Sequence, residues 1–426
     1  MFRTLAFSLL IPAAIQAETY VVTLRGAVEQ SLQQNPELVL ARLDEQKSIQ
    51  AIRLARDPFY PRLVAGSGAA YSTGYPLTID GSPPSILQTR AIQTFFNRNK
   101  SYLVAEAREN SRTSEIEFQI KRDDIAYRTA TLYLDAERTT QVAEVARRQI
   151  EDFEQMRKFV AARVADGRDL DIENDRAALN LARARQRATA LEYDRNYLER
   201  SLAIVLGYGP EDSVKTSAGE RRRPDLPASE QAAVDQALSN SRELKRLQSV
   251  LASRAWVIKA QHATRLPQVD LVAQYSLLTR YNFNEDFFGR FNRNAGQLGI
   301  SVQLPVLTGT GASAQAATAE IESSRLRQEI KSAQGRISLD ARRSFEDLRN
   351  VEAALEVARL DLEVARKNVS ILLALSAEGR TPLRDLAAAR TAEQEKWIAF
   401  YQAQSQRERA QLDVLRQTGS LLSALR

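Results

Sequence analysis

Leu348, Leu355, Leu362 and Val369 stand seven residues apart, and Val351, Ala358, Ala365 and Leu372 form a second row three positions on. That is the a/d pattern of a coiled-coil seam. It lies in a stretch, 311–377, with no proline, one internal glycine (Gly335) and many of the strong helix formers Ala, Leu, Glu, Arg and Gln. At 1.5 Å per residue such a helix extends for about 100 Å, so it has to pack along another. A counterpart covers 99–166, less regular and richer in alanine, with Ile116, Ile120, Ala130, Leu134, Ala143 and Phe159 as its expected buried positions. Gly167 and Gly379 follow the two helices as left-handed C-caps. Two residues later Asp169 and Thr381 are placed as N-caps of returning helices over 170–206 and 383–417, the second with Pro382 at its first position. Both sites therefore read as tight helical hairpins.

Before each long helix the period changes from seven to two. Val269, Leu271, Ala273, Tyr275 and Leu277 alternate with more polar neighbours, and so do Leu298, Ile300, Val302 and Leu304. Alternation predicts strands over 268–279 and 297–305, and a fainter version predicts strands over 62–72 and 86–96. The segment between the second pair is loop-like and aromatic, with Tyr281, Phe283, Phe287, Phe288 and Phe291.

The two halves repeat one another. Ala27-Val28-Glu29-Gln30 recurs as Ala233-Val234-Asp235-Gln236, and Pro61 as Pro267, all in one register; near the ends Gly167 recurs as Gly379 and Gly207 as Gly419, in a second register. This makes 426 residues one architecture built twice: a leader over 1–17, a first repeat over 18–229 and a second over 230–426. The leader reads as a secretory signal, with Arg3, an apolar run from Leu5 to Ile15, and Ala17 before Glu18, although Ile15 leaves the cleavage point free to move by a few residues. A proline-containing surface connection, 208–229, joins the copies.

Composition narrows the chemistry. The chain has no cysteine and one histidine, His262, so thiolate metal sites, redox pairs and Ser/His or Cys/His nucleophiles lack their parts. Gly66-Ser67-Gly68 and Gly309-Thr310-Gly311 lack the lysine that a phosphate loop needs. Carboxylate pairs such as Asp123-Asp124 read as solvated helix surface. The expectation is therefore no enzyme, no cofactor and no metal. A net charge of +6, with 26% charged residues of both signs, describes long solvated helices and argues against nucleic acid.

Strands of about 9 to 12 residues match those that cross a bilayer at a tilt. Four of them cannot close a barrel, and an open edge would leave unpaired peptide groups in lipid, so a transmembrane reading requires several chains to share one barrel. Leu298, Ile300, Val302 and Leu304 are then the lipid-facing candidates, and Tyr71, Tyr75, Phe95, Phe96, Tyr275 and Tyr281 suit an interfacial girdle. A soluble hairpin packed on a helical bundle gives the same alternation and stays open at this point.

In combination, the helix-to-strand passages 51–61 and 255–267, the strand exit Val302-Gln303-Leu304-Pro305-Val306-Leu307-Thr308-Gly309 and the hairpins around Gly167 and Gly379 resemble the TolC-like outer membrane efflux family over about 20–424. The resemblance implies a mainly α fold with a small transmembrane β-barrel. Three copies would form an α-helical tube topped by a shared 12-strand barrel. It also implies passive export through the outer membrane of a Gram-negative-type bacterium, within a tripartite efflux or type I secretion system. The partners would be a periplasmic adaptor and an inner membrane pump of the RND or ABC type. The alternative is a periplasmic coiled-coil scaffold or adaptor without a barrel.

Family members narrow at the hairpin tips, where acidic residues gather about the threefold axis. The matching position is Asp385, with Glu173 its equivalent in the first repeat and Ala388 where a second acid is often found. Arg168 and Arg380, beside the tip glycines, complete the candidate aperture. Clustered carboxylates there would attract cations. As single residues, Asp385 and Glu173 are equally the acids that a helix dipole favours in a first turn.

Overall fold

A computed structural model describes residues 18–68, 85–217, 224–278, 292–306, 309–377, 380 and 383–425. In order these form β1 (Thr19–Val22), α1 (Leu24–Gln34), α2 (Pro36–Arg56), β2 (Arg62–Gly68), β3 (Ser85–Phe96), α3 (Arg98–Ala165), α4 (Asp171–Leu206) and β4 (Ser213–Thr216). The second half continues with α5 (Glu230–Asn240), α6 (Arg242–His262), β5 (Gln268–Leu278), β6 (Asn294–Gln303), α7 (Gly311–Ala377), α8 (Leu383–Gln417) and the short α9 (Leu421–Ala424).

The duplication reappears element by element. Thr23 caps α1 by accepting from Gly26 N, and Ser229 caps α5 by accepting from Ala232 N, each at 3.2 Å. Helices α2 and α6 each run for 21 residues and end in 3-10 turns, Asp57–Phe59 and Ala263–Arg265. At the other end, Gly207 (φ +88°) and Gly419 (φ +72°) take the left-handed conformation. Neither tolerates a side chain: a Cβ on Gly207 would lie 2.7 Å from the Gln34 carbonyl oxygen, and one on Gly419 would lie 2.9 Å from Asn240 Cβ.

The described residues fall into two compact units, each drawn from both repeats. The first comprises the described parts of Met1–Leu40, Gln119–Ser241 and Gln334–Arg426. Its core includes Ala27, Tyr133, Leu202, Ala203, Leu206 and Val214, together with a second cluster of Val28, Ala126, Ala130, Leu134, Leu412, Leu415 and Leu421. On α7 the seam matches its heptads: Leu348, Leu362 and Val369 are buried, and Val351, Leu355, Ala358, Ala365 and Leu372 are half-buried. Three expectations need correction. Phe159 is 49% exposed and lies under the Arg163 guanidinium. The connection 208–229 is not wholly surface, because β4 pairs in parallel with β1 and buries Val214 completely. Asp169 does not cap α4: the N-cap residue is Leu170, without a side-chain cap, and the Asp169 carboxylate is bound by Arg163.

The second unit holds an antiparallel four-stranded sheet in the order β2-β3-β5-β6. Among the described residues β2 and β6 are therefore sheet edges. The expected ends of β2 beyond Gly68 and of β5 beyond Leu278 lie outside the described residues.

Candidate functional site

The sheet is built inside out. The register aligns Val302 with Val269, Ile300 with Leu271 and Leu298 with Ala273, which in turn faces Ala91 opposite Leu63. One face is thus predominantly apolar, and it is the bare one: Leu63, Leu298, Ile300 and Val302 are 74%, 78%, 72% and 65% exposed. The other face carries Arg90, Gln274 and Gln297 in one row and Thr94, Asp270 and Ser301 in another. Here polar groups are buried, with Asp270 at 7%, Ser276 at 7% and Thr94 at 6% exposure. In water, folding hides apolar surface and leaves polar groups out, at about 25 cal/mol per Å². This sheet does the reverse, and a large bare apolar patch marks a surface meant for lipid or protein.

Leu304 lies one residue past the end of β6 and is 60% exposed. Phe95, Phe96 and Tyr275, at the strand ends or near them, are exposed as well; Tyr71, Tyr75 and Tyr281 lie outside the described residues.

The hairpins lie in the first unit. At the first tip Gly167 has φ +70°, its N–H donates to Val164 O at 2.9 Å, and Arg168 N–H donates to Arg163 O at 2.9 Å. This is a Schellman turn. Across it Arg163 Nε and Nη2 donate to the two Asp169 oxygens at 2.7 and 3.1 Å. The bidentate guanidinium holds the Asp169 carboxyl below its ordinary value, and the carboxylate raises Arg163 in return. At the second tip Gly379 lies outside the described residues, but Arg380 N–H donates to Leu375 O at 2.9 Å, the same closing bond.

Asp385 and Glu173 both fall in the first turns of their helices, α8 and α4. Each has a basic neighbour: Arg384 lies 3.7 Å from Asp385, and Arg176 lies 2.5 Å from Glu173. Arg168 is 3.9 Å from Asp166. The ties above the tips have no counterpart in any pattern of the sequence. Arg390 Nη1 and Gln394 Nε2 on α8 both donate to Asp152 on α3, at 2.7 and 3.0 Å, while Arg185 reaches Glu154 and Lys396 reaches Asp361. Charges so far apart in the chain pair only through the packing, so no local spacing announces them.

His262 stands 4.0 Å from Glu320, an exposed pair. Among the described residues no three His, Cys, Asp or Glu side chains gather as metal ligands, and no helix is long and apolar enough to cross a membrane.

No family model and no curated protein sequence matches the chain. Solved structures do. A membrane protein from Pseudomonas aeruginosa superposes with a TM-score of 0.77 at 16% identity, covering 96% of this chain and 98% of that one. The Campylobacter jejuni CmeC outer membrane channel gives 0.78 at 11% identity, covering 93% and 86%. The Vibrio cholerae outer membrane protein VceC gives 0.74 at 18% identity, covering 94% and 95%. The chain has the fold of the TolC-like outer membrane channels.

Proposed function

We propose that the protein is the outer membrane exit duct of a tripartite efflux or type I secretion system, a passive channel that three copies build together. The inside-out sheet carries this reading. Its bare apolar face suits hydrocarbon and its polar face suits a water-filled lumen. A periplasmic scaffold without a barrel would have to cover Leu298, Ile300 and Val302 with protein, and among the described residues they stand open. The edges β2 and β6 call for neighbouring chains, since an unpaired edge in lipid leaves peptide groups without partners. A third heptad row on α7, with Val357, Val364 and Ile371 at 61%, 67% and 58% exposure, offers helix contacts to the same neighbours.

In this reading the hairpin tips form the periplasmic aperture and meet the adaptor, and an inner membrane pump supplies the energy. Asp385 would contribute a carboxylate to the aperture, with Arg384 muting its charge, and Glu173 would stand beside it in the first repeat. The test is fractionation of the mature protein with outer membranes, its migration as a trimer, and single-channel recording in planar bilayers. A soluble monomer that forms no pores sinks the proposal. In the same recordings Asp385→Ala is expected to weaken block by divalent cations several-fold; unchanged block across pH leaves Asp385 as ordinary helix surface.

A further inference from the structure

Four passages join sheet to helix in the second unit, and three of them are strongly basic. Arg53 and Arg56 close α2, Arg98 and Lys100 open α3, and Lys259 and Arg265 flank the end of α6. The one carboxylate in these three passages, Asp57, is taken by Arg62. Arg98, Lys259 and Arg265 are exposed, and neither Arg56 nor Arg265 has a carboxylate partner among the described residues.

Helix dipoles account for two of these three passages. Helices α2 and α6 end here, and cations suit a C-terminus. Helix α3 begins here, however, and a first turn with Arg98 and Lys100 and no acid sets like charge against the positive pole. At the hairpins the rule is kept, since α4 opens with Asp171 and Glu173 and α8 with Asp385. The basic first turn of α3 therefore answers to something outside the chain.

The aromatic groups beside it indicate what. Arg98 lies 5.3 Å over Tyr102, Tyr102 stacks on Trp256 at 5.9 Å, and Lys259 Nζ lies 4.2 Å over Trp256. Tyrosine and tryptophan favour the level where apolar surface meets a polar layer. The collar adjoins the bare apolar face directly, with Phe95 and Leu63 at 81% and 74% exposure.

We infer that this collar binds the phosphate headgroups of anionic phospholipid in the leaflet on the helix side of the sheet. The inference rests on the proposed membrane barrel. A cation close to an anionic bilayer surface favours association by roughly fivefold, an effect that salt screens.

The purified full-length mature protein, offered phosphatidylglycerol and phosphatidylcholine in equal amounts, is expected to retain at least about fivefold more of the former by native mass spectrometry. The advantage should fall toward parity in the combined variant Arg98→Gln, Lys100→Gln, Arg265→Gln, and at 0.5 M salt. Equal retention by the natural protein overturns the inference. So does an unchanged preference in the variant, or binding that follows lipid A instead. Insertion into vesicles of phosphatidylcholine alone separates the two claims: insertion without headgroup preference removes only the collar, and failure to insert removes the barrel and the collar together.

Discussion

At the first hairpin the Arg163 guanidinium spans the turn to Asp169, whereas the second hairpin has Leu375 and Thr381 at the equivalent places. Both turns nevertheless close with the same backbone bond, from Arg168 to Arg163 and from Arg380 to Leu375. The backbone turn is thus what duplication preserved, and the ionic clasp belongs to one copy. The second hairpin is held instead from above its tip, where Arg390 and Gln394 of α8 converge on Asp152. The Asp152 contacts join the two hairpins to each other, so what sets the first tip apart is the clasp within its own turn.

The strongest way to break the symmetry is at the glycines that both copies keep. Gly207→Ala forces a side chain onto left-handed backbone and against the Gln34 carbonyl, and it is expected to cost about 3 kcal/mol in denaturant unfolding. Gly419→Ala meets the Cβ of Asn240 at 2.9 Å, with the nearest backbone atom at 3.6 Å, and about 2 kcal/mol is expected. Equal costs would mean that backbone strain alone matters at both sites.

A smaller effect is expected from making the first tip resemble the second. Arg163→Leu should speed amide exchange around 164–170 roughly threefold and leave the second tip unchanged. The pH dependence has a definite sign. Because the Asp169 carboxyl is held below its ordinary value, the clasp is complete above the usual carboxylate range and is lost as pH falls through that lowered value. Exchange at the first tip that does not respond to acid would remove the clasp from the account.

The smallest effect expected is at Glu199, whose equivalent in the second repeat is Gln411. Burial pushes the Glu199 carboxyl up, against the pull of Arg195 and Lys215. A raised carboxyl weakens the fold at pH above its folded value, and that loss is relieved as pH falls through it. Glu199→Gln should therefore stabilise the protein at neutral pH by about 0.5 kcal/mol, with no gain in mild acid. Destabilisation by this substitution would show that the Arg195 pair outweighs burial.

Much of the fold was legible because long regular elements announce themselves. Helix α7 runs over the bounds its composition predicts, and its buried positions are those of the heptad. The strands were legible as well, through alternation, and register then placed the apolar residues on one face. The short pair β1 and β4 was not, because four residues are too few to show a period and the pairing joins segments far apart in the chain. Asp169 misled for a local reason: α4 starts late enough that Leu170 holds the capping position, and Arg163, six residues back, binds the Asp169 carboxylate. The ties to Asp152 and the stack of Tyr102 on Trp256 belong to packing alone.

The pairing of β1 with β4 also constrains the order in which the chain can fold. Thr19 meets Ser213 across 194 residues, and Tyr20 stacks on Tyr208 at 4.1 Å. Contacts so distant in sequence form late, after the intervening helices have shortened the path between them. The strand nearest the start of the chain must therefore wait, unpaired, until the entire first repeat has followed it. Its partner precedes the second repeat, so the first copy can be sealed before the second is complete.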